Sequence, residues 1–177
     1  MFSQMFGLKP GVVSVIGSGG KTTLLSTLAR ELPGPVILCT TTHMFPFSEY
    51  PLISGDDAGA LKAALARSRV VCLGQPGKDG KLTAPALSFS LLRELASWVL
   101  VEADGSKRLP LKAPASYEPV IPPESSHTIL VAGALSQRQS TARSAFVPSP
   151  EHSSRTWSPQ SWPPLPSPGK VWHARSF

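Results

Sequence analysis

Val12-Val13-Ser14-Val15-Ile16 runs directly into Gly17-Ser18-Gly19-Gly20-Lys21-Thr22-Thr23, and this junction decides the fold. The first five residues are β-branched or small and read as a buried strand. Leu24, Leu25, Leu28 and Leu32 then recur at three- and four-residue intervals, one apolar stripe of a helix that Pro33-Gly34 stops. Pro35-Val36-Ile37-Leu38-Cys39 is a second extended run. Strand, helix and strand at this spacing predict parallel strands in an α/β fold, joined by a right-handed crossover. The glycines between the first strand and the helix let the backbone turn tightly and aim successive N–H groups inward, where the positive end of the helix adds to their pull on an anion. Lys21 would place a fixed positive charge at terminal phosphates, and the Thr22 hydroxyl is a natural Mg²⁺ ligand. The spacing is the shorter G-x-x-G-K-T, with Val15 where the longer phosphate-loop pattern has glycine.

The second strand delivers Thr40-Thr41-Thr42-His43-Met44 to the same sheet edge, where ligands of open α/β sheets sit. Thr42 and His43 are therefore candidate ligand contacts, although threonines also suit strand ends and turns and a loop histidine often serves only local hydrogen bonding. Ser54-Gly55-Asp56-Asp57 predicts a helix start with Ser54 as cap, its acids serving the helix terminus, followed by Leu61 and Leu65 on one face. Arg69 to Gly74 reads as a third strand, Gln75 to Lys81 as turn chemistry, and Leu91, Leu92 and Leu95 as a short helix. Trp98-Val99-Leu100-Val101-Glu102-Ala103-Asp104-Gly105 is a strand that ends in two carboxylates two residues apart. Alternate residues of a strand share a face, so Glu102 and Asp104 can both look toward the glycine turn and serve as Mg²⁺ ligands. Two acids at an ordinary strand exit are the plainer alternative.

Five motifs in order resemble the YqeC family: G-S-G-G-K-T-T at Gly17 to Thr23, T-T-T-H-M at Thr40 to Met44, V-E-A-D-G-S at Val101 to Ser106, P-L-K-A-P at Pro110 to Pro114 and Y-E-P-V-I-P at Tyr117 to Pro122. Members of that family are described as accessory proteins of selenium-dependent molybdenum hydroxylases, or selenium-cofactor biosynthesis proteins. The resemblance implies a P-loop NTPase-like three-layer fold with a mostly parallel sheet, incomplete at its carboxyl terminus. It also implies binding of ATP or GTP with Mg²⁺ and a role in maturing the hydroxylase, with that enzyme or its cofactor-maturation proteins as partners. By position, Gly17, Ser18, Gly19, Gly20, Lys21, Thr22 and Thr23 would hold the nucleotide, and Thr22, Glu102 and Asp104 the metal. Lys112 and Glu118 are the basic and acidic residues of the proline-rich segment, stiffened by Pro110, Pro114, Pro119, Pro122 and Pro123, and join the binding set. Lys21 and Asp104 are the candidate catalytic residues of an ATP- or GTP-dependent hydrolase or phosphotransferase. A nucleotide-gated module without metabolite turnover is one alternative. A Mur-ligase-like ATP-dependent enzyme is another, because Mur ligases share the short glycine spacing.

The resemblance fades after His127 to Ala132, and the chain divides into a nucleotide-binding domain, residues 1–135, and a tail, residues 136–177. The tail carries seven of the 19 prolines, three of the four tryptophans and ten serines, with Glu151 its only acid. It reads either as disordered or as unselected sequence after loss of the coding frame near Ala134. The second is favoured because a doubly wound domain needs further helices after such a strand, and because Trp157, Trp162 and Trp172 do not suit a solvated tail.

The formal charge of +6 would suggest nucleic acid until it is divided. Five basic residues and one acid give the tail +4, which leaves 12 minus 10, or +2, for residues 1–135. A nearly balanced domain does not track a phosphate backbone, so no nucleic-acid partner is expected. Cys39 and Cys72 lie in predicted strands without C-x-x-C spacing and read as reduced core thiols, although Cys39 adjoins the threonine cluster and is the thiol nearest any selenium chemistry. Met1 to Pro10 has no basic region followed by a long apolar run, and no stretch of about 18 apolar residues occurs, so a cytoplasmic protein without membrane association is expected.

Overall fold

The computed structural model describes residues 1–105, 119–132 and 173–174. A short helix α1 (Phe2–Met5) precedes β1 (Gly11–Ser18), α2 (Lys21–Glu31) and β2 (Val36–Thr40). Next come β3 (Leu52–Ile53), α3 (Ala58–Arg67), β4 (Val70–Leu73), and a small hairpin of β5 (Gln75–Pro76) and β6 (Leu82–Thr83). Helix α4 (Phe89–Leu95), β7 (Trp98–Glu102), β8 (Ser125–Ala132) and β9 (His173–Ala174) complete the described elements. The main sheet has the order β3-β4-β2-β7-β1-β8-β9, parallel from β3 to β8 and antiparallel only at β9.

All five residues of β2 and of β7 are buried, the near-continuous apolar pattern that a parallel sheet covered on both faces requires. Alternation divides the core accordingly. Val13, Val15, Val36, Leu38 and Leu100 pack with Leu25 and Leu28 of α2, while Val12, Ile37, Val71, Val99 and Val101 pack with Leu61 of α3 and Leu92 of α4. The molecule is thus a three-layer α/β structure, as expected. Leu25 and Leu28 are fully buried, each worth about 1.5–3 kcal/mol relative to exposure. That exceeds the few tenths of a kcal/mol by which ordinary helix formers differ, so packing rather than propensity holds α2 in place.

The first two strands are parallel but not adjacent, because β7 lies between them, its Glu102 in register with both Val15 and Thr40. A strand buried along its whole length needs a hydrogen-bonding neighbour at each edge, and the middle of the sheet supplies both. The consequence is positional: the carboxylate-bearing strand ends between the glycine turn and the threonine cluster. One expected cap is corrected. Helix α3 is capped by Asp57, which accepts from Gly59 N–H at 2.7 Å and Ala60 N–H at 3.1 Å, and not by Ser54. Among the described residues no helix is long and apolar enough to cross a membrane.

Candidate functional site

The glycine turn is built on backbone that glycine alone adopts readily: φ is 101° at Gly17, 75° at Gly19 and 102° at Gly20. A side chain at Gly17 would also collide with the Val131 carbonyl oxygen of β8 and come within 2.9 Å of Leu130 Cδ1. Ser18 is the last residue of β1, and Gly20 is the N-cap of α2. Helices α3 and α4 receive side-chain caps from Asp57 and Ser88, whereas among the described residues none caps α2 with its side chain. The amide donors of its first turn, where Lys21, Thr22 and Thr23 stand, are therefore not claimed by a capping side chain and face the sheet edge as an anion-attracting terminus. Thr22 and Thr23 are exposed.

Lys21 is buried, 4% exposed. Its ammonium donates to the Gly17 carbonyl at 2.8 Å and pairs with Asp104 Oδ1 at 2.9 Å and Glu102 Oε1 at 3.7 Å. Gly17 N–H donates to Asp104 Oδ2 at 2.6 Å, so one carboxylate binds both the turn's backbone and its cation. Asp104 Oδ1 is buried and, among the described residues, accepts no hydrogen bond; its partner is the ionic one. Burial pushes the Glu102 carboxyl above its ordinary range, and the Asp104 charge adds to this, while Lys21 pulls the other way. The two acids do share a face: the ladder continues past β7, with Ala103 N–H donating to the Val15 carbonyl at 3.0 Å.

The threonine cluster ends β2 beside them. Thr40 Oγ1 donates to the Glu102 carbonyl at 2.8 Å and accepts from Thr42 N–H at 3.0 Å. Thr41 Oγ1 donates to the Val120 carbonyl at 2.6 Å. Thr42 is half-buried and His43 exposed. The structure therefore brings Gly17, Lys21, Glu102 and Asp104 into direct contact and sets Thr40 to His43 on the same edge. Among the described residues, no side-chain hydrogen bond or ion pair joins Thr42 or His43 directly to Lys21, Glu102 or Asp104 side chains. Lys112 and Glu118 lie outside the described residues. Cys39 is fully buried in the core against α3 and α4, and burial drives its thiol far above the ordinary range, which makes it a structural thiol. Among the described residues no group of three or more His, Cys, Asp and Glu is placed to hold a metal, so a cation here would need hydroxyl or ligand oxygens as well. The Gly17–Asp104 bond, across 87 positions, carries no local sequence signal.

Fold and site together define a three-layer α/β protein with a buried lysine, at the start of its first long helix, closed by two carboxylates from the neighbouring strand. The chain belongs to the YqeC protein family, whose model matches residues 13–148. It is 40% identical over 134 residues to the protein named "Uncharacterized protein YqeC" of Escherichia coli (strain K12), an alignment covering 71% of this chain and 52% of that relative. The chain spans about half the length of the curated relative it matches. The family match extends past Ala132, after which the motif resemblance fades. No solved structure matches the chain.

Proposed function

We propose that this protein binds a nucleoside triphosphate at the Gly17–Thr23 turn and uses it in the maturation of selenium-dependent molybdenum hydroxylases. The observation that supports nucleotide binding is the amino terminus of α2, which has no side-chain cap among the described residues, with a buried lysine ammonium beside it. Phosphate oxygens satisfy such donors, and the Lys21 charge draws them in. Lys21 now contacts Asp104 and Glu102; on binding it would turn to the phosphates and stabilise charge on the transferred group. Glu102, Asp104 and the Thr22 hydroxyl are hard oxygen donors and would hold Mg²⁺, which suits the buried Asp104 Oδ1, an atom that among the described residues accepts no hydrogen bond beyond its ion pair with Lys21. The bound ion would supply positive charge to the phosphate oxygens. The role in hydroxylase maturation, a cytoplasmic setting and partners among the maturation proteins rest on the ordered family motifs.

Calorimetric titration with Mg-ATP and Mg-GTP tests the reading. Charge-assisted contacts are each worth about 1.5–3 kcal/mol, so Lys21→Ala should lose on the order of ten- to hundredfold in affinity. Asp104→Asn should weaken binding in Mg²⁺ and change little in EDTA. Equal affinity of wild type and Lys21→Ala would remove the nucleotide assignment. A phosphorylated or nucleotidylated small molecule in a turnover assay would identify an enzyme, and hydrolysis alone a gated module.

A further inference from the structure

The oxygens that hold the Lys21 ammonium form a nest that other bonds keep in place. Gly17 uses both of its peptide groups there: its N–H fixes Asp104 Oδ2 at 2.6 Å, and its carbonyl accepts from Lys21 Nζ at 2.8 Å. Asp104 Oδ1 and Glu102 Oε1 close on the same nitrogen at 2.9 and 3.7 Å. Strand pairing sets Glu102 beside Val15, and the Ala103 N–H bond to the Val15 carbonyl carries the ladder on toward Asp104, so the backbone anchors the groups on both sides. Two features suit this nest to a divalent ion. Asp104 Oδ1 is buried, and among the described residues its contact with Lys21 lacks hydrogen-bond geometry, which an ammonium needs for a strong bond and a metal ion does not. When both carboxylates are ionised, one ammonium leaves a negative charge over in a largely buried place, whereas a divalent ion balances the pair. A carbonyl and two carboxylates are the hard donors that Mg²⁺, Ca²⁺ and Mn²⁺ take.

We propose that the Lys21 ammonium and a divalent cation compete for this one nest, made by the Gly17 carbonyl, Asp104 Oδ1 and Glu102 Oε1, so that the lysine keeps the ion out until a phosphate ligand draws it away. The last step rests on the nucleotide reading above, and the competition itself does not. Lys21 is tethered at the nest and only 4% exposed, so without a ligand it outcompetes a free ion. A phosphate group at the first turn of α2 offers the ammonium another anionic partner, and the oxygens it leaves then take the ion. Ion and triphosphate therefore enter together, and each raises the affinity for the other.

The test follows thermal melts of the full chain with Mn²⁺ as the probe ion. Without nucleotide, Mn²⁺ should leave wild type unmoved and stabilise Lys21→Met, with a half-saturating concentration at least on the order of a hundredfold below that of wild type. The further change in Lys21→Met/Asp104→Asn should abolish this gain. If Lys21→Met gives no cooperative melt, Lys21→Gln, which keeps an uncharged donor for the Gly17 carbonyl, is read in the same way. Wild type and Lys21→Met responding alike to Mn²⁺, or a gain that survives Asp104→Asn, would overturn the competition. In wild type, ATP with Mn²⁺ should stabilise more than ATP in EDTA, and equal stabilisation would overturn the linked entry of ion and ligand. A wild type that gains nothing from ATP in either buffer, beside a Lys21→Met that takes the ion, would leave the competition standing and remove the nucleotide reading.

Discussion

Asp104 grips the glycine turn twice, through Gly17 N–H at 2.6 Å and through the Lys21 ammonium at 2.9 Å. Lys21, at the start of α2, is neutralised by the two carboxylates at the end of β7, the strand beside β1. Its removal therefore affects the folded state before any ligand is considered.

Lys21→Met would leave two largely buried carboxylates without their cation, and breaking such a cluster costs about 3 kcal/mol. Urea unfolding should show this loss. The double variant Lys21→Met/Asp104→Asn should recover part of it, and strict additivity of the two single changes would disprove the coupling.

Glu102 sets a pH dependence. Its carboxyl binds a proton more tightly in the folded than in the unfolded chain, because burial penalises its charge. Its contribution to stability is therefore greatest below the ordinary carboxylate range and falls as pH rises from there through the raised folded value. Glu102→Gln, melted in EDTA over the same range, should flatten this part of the profile. An unchanged slope would assign it to other groups.

Gly17→Ala combines left-handed backbone with a collision against β8 and should cost about 3 kcal/mol. Gly55 has nearly the same φ, 99°, but no atom of the described residues lies within 4 Å of the place its β-carbon would occupy, so Gly55→Ala isolates the backbone penalty at about 1 kcal/mol. Thermal melts that place the two variants together would show that the β8 contact does not constrain the turn.

Asp57→Ala should destabilise by about 1 kcal/mol, the usual loss of a helix cap, whereas Ser54→Ala should be neutral. A reversed result in urea unfolding would restore Ser54 as the cap.

The elements that could be read from sequence were those fixed locally. The Leu24, Leu25, Leu28 stripe, the Pro33-Gly34 stop and the apolar runs at Val36 and Trp98 each carry their own periodicity, and Lys21, Glu102 and Asp104 stood out because their residue types are unusual at strand and helix ends. The position of β7 between β1 and β2 was not legible, because strand order is decided by distant pairing. Ser54 and Asp57 are both capping types, and only the observed bonds separate them. Helix α1 and strand β3 span four and two residues, too short for any period; Phe6 buried after the one and pairing of the other with β4 account for them.

The peptide groups at the end of β7 are engaged on both sides. The Glu102 carbonyl accepts from Thr40 Oγ1 and Thr41 N–H, and Ala103 bonds the Val15 carbonyl through its N–H and Val120 N–H through its carbonyl. The two carboxylates thus sit on a backbone whose ordering entropy is spent during folding, not on encounter with a ligand. Preorganisation of this kind leaves adjustment to the Lys21 side chain, so ligands of different shape should be discriminated by how well they fit a fixed acidic wall, with little backbone rearrangement to accommodate them.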